Sequence, residues 1–220
     1  MKTNLITAIY GAHDDLKPLP LGHGFDEAIC YTDNPKLRSD TWQIVLQPFP
    51  DMSPRLASKM PKFTPWKFST ADLWVWLDGS FTITNTGFKD FCLSSLGEHE
   101  LVVWDHPDRH MRPDVYAEAN FSRHMEKYQN QNLDQQVAHY ASRGLPAGSG
   151  LYACGTIVWR DTEACRVFGE AWMSENLRWT IQDQLSFPYL AWKLQPNFTT
   201  FPAHEYENPY LQWNHHRSER

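Results

Sequence analysis

Leu5-Ile6-Thr7-Ala8-Ile9-Tyr10 is an almost unbroken apolar, β-prone run halted by Gly11, the pattern of a strand covered on both faces. Four further short runs repeat it: residues 27–32, 42–46, 73–77 and 101–104. Most are cut off by a polar turn, with Asp33-Asn34-Pro35, Asp78-Gly79-Ser80 and Asp105-His106-Pro107 closing three of them. Between and after them the spacing changes to that of helices. Residues 55–60 make a short candidate; residues 115–130 and 133–142 mix polar and apolar positions as surface helices do. Residues 162–176 give the clearest helix, with Asp161 or Thr162 as its cap, and residues 181–192 a second long one broken at Pro188. Short strands alternating with helices predict an α/β fold whose site lies at the carboxyl ends of the strands.

Composition narrows the class. With 41% hydrophobic and 21% charged residues the chain is neither disordered nor membranous, and Leu73–Leu77 falls far short of a membrane span. The 20 Lys+Arg against 26 Asp+Glu, net −6, count against a general nucleic-acid coat but leave room for a local basic groove. No secretory pattern is visible at Met1-Lys2-Thr3-Asn4, and Cys30, Cys92, Cys154 and Cys165 hold no CxxC pair. A cytoplasmic protein with reduced thiols is expected. Tryptophan is abundant at 10 residues. Trp74 and Trp76 lie within a strand and are expected to pack in a core; Trp66, Trp172, Trp179 and Trp213 lie in loops or near helix ends, where they could stack on a flat ligand.

Candidate chemistry gathers at the strand ends. Asp78 closes the most apolar strand and is followed by Gly79, which would let a ligand approach the backbone. A carboxylate placed there can hold Mg2+ or Mn2+ while phosphates fill the other positions, although a plain strand-ending turn reads the same way. Asp33 could accept from a base or ribose. Arg55, Lys59 and Lys62 suit a diphosphate, or simply a solvated helix face. The glycine-rich stretch 144–151 matches neither a P-loop nor GxGxxG. Asp183 opens a helix, where a carboxylate either favours the dipole or acts as a base. His204 lies in a late loop. His106 and His110 carry an i, i+4 spacing, but Pro107 and the missing glutamate weaken a zinc reading. Catalytic serine and cysteine motifs are absent.

In order and spacing, several segments resemble the GT-A class of glycosyltransferases. They are similar above all to the glycosyltransferase-like domain of bacterial capsular-polysaccharide and plant mucilage proteins. The residues that carry this are Thr7–Gly11 with Asp14-Asp15, Tyr31-Thr32-Asp33, Arg55 and Lys59, Trp76–Ser80, His106-Pro107 with Arg109, Glu118, and Gln182–Phe187. The resemblance implies a single Rossmann-like domain over residues 1–213, a mostly parallel mixed sheet flanked by helices, and a flexible tail at 214–220. It places nucleotide binding in residues 1–110 and the acceptor side in 111–213. It implies a nucleotide-sugar donor, with UDP-sugars foremost, held by Ala8, Tyr10, Asp33, Arg55, Lys59, Asp78 and Gly79. Mn2+ or Mg2+ would sit on Asp78 and His204; Gly148, Ser149, Gly150, Trp179 and Gln184 would face the acceptor; Asp183 would be catalytic, as the base if the anomeric centre inverts. Trp76 stands where the metal motif of that class has its first acid. The acceptor could be a glycan, a protein, a small molecule or a hydroxymethylated base in DNA, the last with Arg109, Arg112, Arg123 and Lys127 on the phosphates. A binding module without catalysis is the rival from another class.

Overall fold

The computed structural model describes residues 1–214. In chain order it runs β1 (Thr3–Ile9), β2 (Glu27–Thr32), β3 (Gln43–Leu46), α1 (Pro54–Phe63), β4 (Leu73–Leu77), β5 (Phe81–Ile83), α2 (Phe88–Leu96), β6 (Leu101–Asp105), α3 (Val115–Ser122) and α4 (Leu133–Ser142). It continues with β7 (Tyr152–Arg160), α5 (Glu163–Arg178), α6 (Asp183–Leu194), β8 (Phe198–Thr200) and β9 (Leu211–Trp213). Seven strands form one sheet in the order β3-β2-β1-β4-β7-β6-β8, while β5 and β9 pair apart from it. The pairings from β3 to β4 and between β6 and β8 are parallel; β7 is antiparallel to both β4 and β6. The protein is thus α/β, with the mostly parallel mixed sheet and flanking helices that the resemblance implies.

Alternation along the strands sorts their side chains into two layers. Ile6, Ala8 and Tyr10 with Trp74 and Trp76 face the core shared with α1, α5 and α6, whereas Leu5, Ile9, Val75 and Trp42 face the core shared with α2. Both faces are covered, which is why β1 and β4 are buried at every position. Trp74 and Trp76 are packing residues, as expected. Trp172 is not at a helix end: it lies inside α5, fully buried and stacked on Phe63 at 4.1 Å. Trp66 packs edge-on against Trp74 and Trp159.

Several elements depart from the reading of the sequence. The helix expected over 115–130 ends at Ser122, with one 3-10 turn, Glu126–Tyr128, after it. Pro188 does not break α6. A proline there has no N–H to give the Gln184 carbonyl, but the flanking Leu185, Phe187, Tyr189 and Leu190 are all buried, and that burial carries the helix through. Likewise α1 continues past Pro61 because Lys62 and Phe63 both bury their side chains. Its start is set by Ser53, which accepts from the Leu56 N–H, with Pro54 in the first turn. Asn214 is pinned rather than frayed, donating its backbone N–H to Ser80 O at 2.7 Å and its amide to Thr82 Oγ1 at 2.9 Å. The rest of the expected tail, 215–220, lies outside the described residues. Among the described residues no helix is long and apolar enough to cross a membrane.

Candidate active site

A cavity of about 610 Å3 opens over the carboxyl ends of β1 and β4, between α1, α6 and the β5–β9 ribbon. Its size is that of a small-molecule or nucleotide pocket. The strand order explains its place: β1 and β4 are adjacent and parallel, so Tyr10 and Asp78 emerge side by side at one sheet edge.

The floor is a cluster of charges. Asp183, in the first turn of α6, accepts from Lys59 Nζ at 2.6 Å and from Lys62 Nζ at 2.8 Å, both of α1. Lys62 reaches on to Asp78 Oδ1 at 3.2 Å, and the Trp76 indole N–H donates to that same oxygen at 2.6 Å. Lys59 and Lys62 stand three residues apart on one helix, so both heads point the same way. Burial alone would push the Asp183 carboxyl up; the two ammonium groups more than offset it and hold it far below the ordinary carboxylate range. Burial works against the Lys62 ammonium too, and Asp183 with Asp78 more than restores it, leaving it well above an ordinary lysine. Lys59 goes the other way, lowered first by burial and further by Lys62, and is the more readily deprotonated of the two.

Beside the floor lies a polar wall. The Gln182 amide donates to Glu118 Oε1 at 2.9 Å and its carbonyl accepts from Tyr128 Oη at 2.6 Å. Arg112 bridges Glu118 and Asp108, with its guanidinium 4.0 Å from the Phe121 ring centre. Burial raises the Glu118 carboxyl despite these partners. Burial, and then Arg112, lower His106 to about 4, so it is neutral at physiological pH. The lip opposite carries Glu205, nine-tenths or more buried, and the aromatic rings of Phe81, Tyr206 and Trp213. Burial first, and then the Asp78 charge, raise Glu205 to about 8.

The cavity gathers Ala8, Tyr10, Arg55, Lys59, Asp78, Gly79, Asp183 and Gln184 from the residues singled out in the sequence. At Gly79 the chain's own packing also disfavours a side chain, since a Cβ there would come within 2.7 Å of Ile9 Cδ1 and 3.1 Å of Asp14 Cβ. Six residues lie off the cavity lining. Asp33 accepts from the Gly11 N–H with both oxygens at 3.1 Å, fixing the turn after β1. The Gly148 N–H is taken by Asp114, which also caps α3; Ser149 and Gly150 belong to the same turn. Trp179 packs on His139 and Arg178. His204 is exposed, and its Nδ1 accepts from the Tyr206 N–H at 3.3 Å.

Asp78 and His204 are not brought together on the cavity lining: Asp78 Oδ1 is engaged by Trp76 and Lys62, and His204 lies off the lining. Among the described residues no group of three or more His, Cys, Asp and Glu could hold a metal ion. His106 and His110 share no helix; His106 follows the last residue of β6 and its Nδ1 accepts from the Asp108 N–H. Sequence reasoning missed Glu205, for which no local pattern exists, and placed Lys62 in a basic cluster without its partner Asp183.

A family model for the TOD1/MUCI70 glycosyltransferase-like domain matches residues 27–215. The chain belongs to that family. Its match covers β2 through β9 and every charged residue of the cavity floor. No curated protein matches the chain by sequence. Among solved structures, the apo structure of the bifunctional glycosyltransferase WbbM aligns with a TM-score of 0.48 and 11% identity, over 92% of this chain. The chain spans 38% of that protein's length.

Proposed function

We propose that this TOD1/MUCI70 domain transfers a sugar from a nucleoside diphosphate sugar, with UDP-sugars as the donor class, to a hydroxyl acceptor. The observation that carries the reading is the buried Lys59–Asp183–Lys62 cluster at the edge of β1 and β4. Three cations, Arg55, Lys59 and Lys62, meet there in one partly dry cavity, and a diphosphate is the anion that suits them. The Tyr10 hydroxyl is tied to Gln47 O at 2.8 Å, which fixes the residue that follows β1 at the cavity wall.

Chemistry follows from how the lysines are shared. In the resting protein Asp183 is a counter-ion and a poor base. An incoming diphosphate competes for both ammonium groups; as they turn to the phosphates, Asp183 loses what depresses it and becomes able to accept a proton. The acceptor oxygen then bonds to the anomeric carbon, the carbon–phosphate oxygen bond breaks, the acceptor proton passes to Asp183, and the diphosphate leaves against Lys59 and Lys62. Charge on the leaving group is met in this reading by the ammonium groups of Lys59 and Lys62. A glycan acceptor is favoured over modified DNA. Arg109 and Arg123 pair with Asp105 and Asp134 away from the cavity lining, and Arg112 is held between Asp108 and Glu118, so unlike Lys59 and Lys62 they gather no cationic group around the cavity floor.

Calorimetry with UDP tests the reading. Binding is expected without Mn2+ and is expected to fall at least about tenfold in Lys59→Met, a change of about 1.4 kcal/mol. Strict Mn2+ dependence that disappears in Asp78→Ala would overturn the ammonium role. Asp183→Asn is expected to lower transfer by about 100- to 10,000-fold while UDP still binds; unchanged transfer would remove Asp183 as the base.

A further inference from the structure

Of the four tryptophans the sequence left free to stack on a ligand, Trp213 alone lines the cavity. It does so beside Tyr206, and both rings are partly open, with Trp213 38% and Tyr206 51% exposed. Two adjoining aromatic rings at the rim of a cavity offer flat apolar area next to polar groups, the arrangement that takes a ligand with one apolar face and a polar edge. We propose that Tyr206 and Trp213 form a stacking platform for a neutral carbohydrate acceptor at the lip of the cavity. The proposal rests on the transferase reading for its role as an acceptor subsite, and on the lip's own geometry for its ligand.

The platform is held rigidly. Trp213 closes β9 in register with Phe81 of β5, and the next residue, Asn214, is bonded back to Ser80. Tyr206 lies nearly parallel to Phe81, 12° between planes at 6.3 Å, and meets Trp213 at 6.0 Å. Its hydroxyl donates to the Glu205 carboxylate, and Asn208 ties the turn beneath it through the His204 and Glu205 carbonyls. A ring fixed in this way loses little entropy when a ligand settles on it.

Charge selects among flat ligands. The groups acting electrostatically on Tyr206 are the acids Glu205, Asp78 and Asp108. Asp78 and Asp108 accept from sugar hydroxyls and disfavour a phosphate, while Glu205, raised to about 8, is largely protonated at neutral pH and can also donate to a sugar oxygen. The C–H face of a pyranose would lie on the rings while its hydroxyls turn to the acids, and a nucleic-acid backbone would be pushed away. The cations that suit phosphate lie across the cavity, on α1.

The test uses cellotetraose and maltotetraose as neutral probes, UDP as the donor-side probe, and a duplex containing hydroxymethylcytosine. Each is titrated by calorimetry and tryptophan fluorescence, with thermal unfolding as the check on folding. At least one tetrasaccharide is expected to bind. Tyr206→Ala and Trp213→Leu are each expected to weaken it at least about tenfold, and Trp213→Phe to stay within about threefold, because a ring face is retained. UDP affinity is expected to be the same in all three variants. Saccharide affinity that ignores both Tyr206→Ala and Trp213→Leu overturns the platform, as does the failure of both tetrasaccharides to bind. Salt-sensitive duplex binding that depends on Trp213, with no saccharide bound, replaces it with a nucleic-acid subsite. If UDP does not bind but a saccharide does, through Trp213, the platform stands and the donor reading falls.

Discussion

At the cavity floor Asp183 is enclosed with Lys59 at 2.6 Å and Lys62 at 2.8 Å; across the cavity Glu205 is just as deeply enclosed, but its strongest charged neighbour is the like-charged Asp78. Burial opposes ionisation at both. At the floor opposite charges win and the carboxylate persists, while at the lip nothing comparable offsets burial and the carboxyl is pushed up to about 8. The neighbours, not the depth, decide which acid is ionised. One cavity therefore holds a permanently charged end suited to an anion and a lip whose acid changes charge near neutral pH.

The largest expected effect comes from breaking the floor. Lys62 is 2% exposed, and Lys62→Ala leaves Asp183 with one cation and Asp78 without its ammonium contact. Removing one member of a buried pair costs on the order of 3–5 kcal/mol, and the surviving Lys59 places this case near about 3 kcal/mol. Urea unfolding measures it. The double variant Lys62→Ala, Asp183→Asn is expected to cost less than the sum of the two single changes, because both remove the one Lys62–Asp183 contact, although Lys59 then loses its carboxylate partner. Equal or additive losses would mean that the cluster is not coupled and that the contrast with the lip is misdrawn.

The same contrast explains what could be read from sequence. Leu73–Leu77 with Asp78 is legible because a continuous apolar run ending in Asp-Gly has few other meanings, and β2 falls on the residues expected, 27–32. The central β7 was hidden because Cys154-Gly155 interrupts its apolar run and a glycine-rich turn leads into it. α2 was hidden too, though Phe88, Cys92 and Leu96 at spacing four, with Gly97 after them, mark its buried face. Lys62 could be seen as basic but not as the partner of Asp183, which lies 121 residues away. Such pairing is a property of the sheet order, and no local pattern encodes it. Glu205 carries even less signal, since a glutamate in a loop reads as solvated until the fold closes over it.

A smaller effect is expected at Gly155, where the two regions are joined. Its carbonyl accepts from the Asp78 N–H at 2.8 Å, while a Cβ on it would come within 2.6 Å of both Glu205 Oε1 and Phe81 Cε2. Gly155→Ala is expected to push Glu205 and Phe81 outward and to destabilise by about 1–3 kcal/mol. Saccharide binding at the lip is expected to suffer more than UDP binding at the floor. Equal loss of both ligands would show that floor and lip move as one.

The effect that separates the two acids most directly is a pH slope. The Glu205 carboxyl has a folded value of about 8 against 4.5 for the ordinary group. Because the folded value is the higher, the contribution is fully present below about 4.5. It shrinks as the unfolded chain ionises while the folded one stays protonated, and is lost once pH passes through about 8. Wild-type melting temperature is therefore expected to fall between those limits, and Glu205→Gln to flatten that fall without altering stability at the acid end. Asp183 contributes no slope in this window, since its folded and unfolded forms are both ionised throughout it. A Glu205→Gln profile parallel to the wild type would place the titrating group elsewhere and remove the distinction between the floor and the lip.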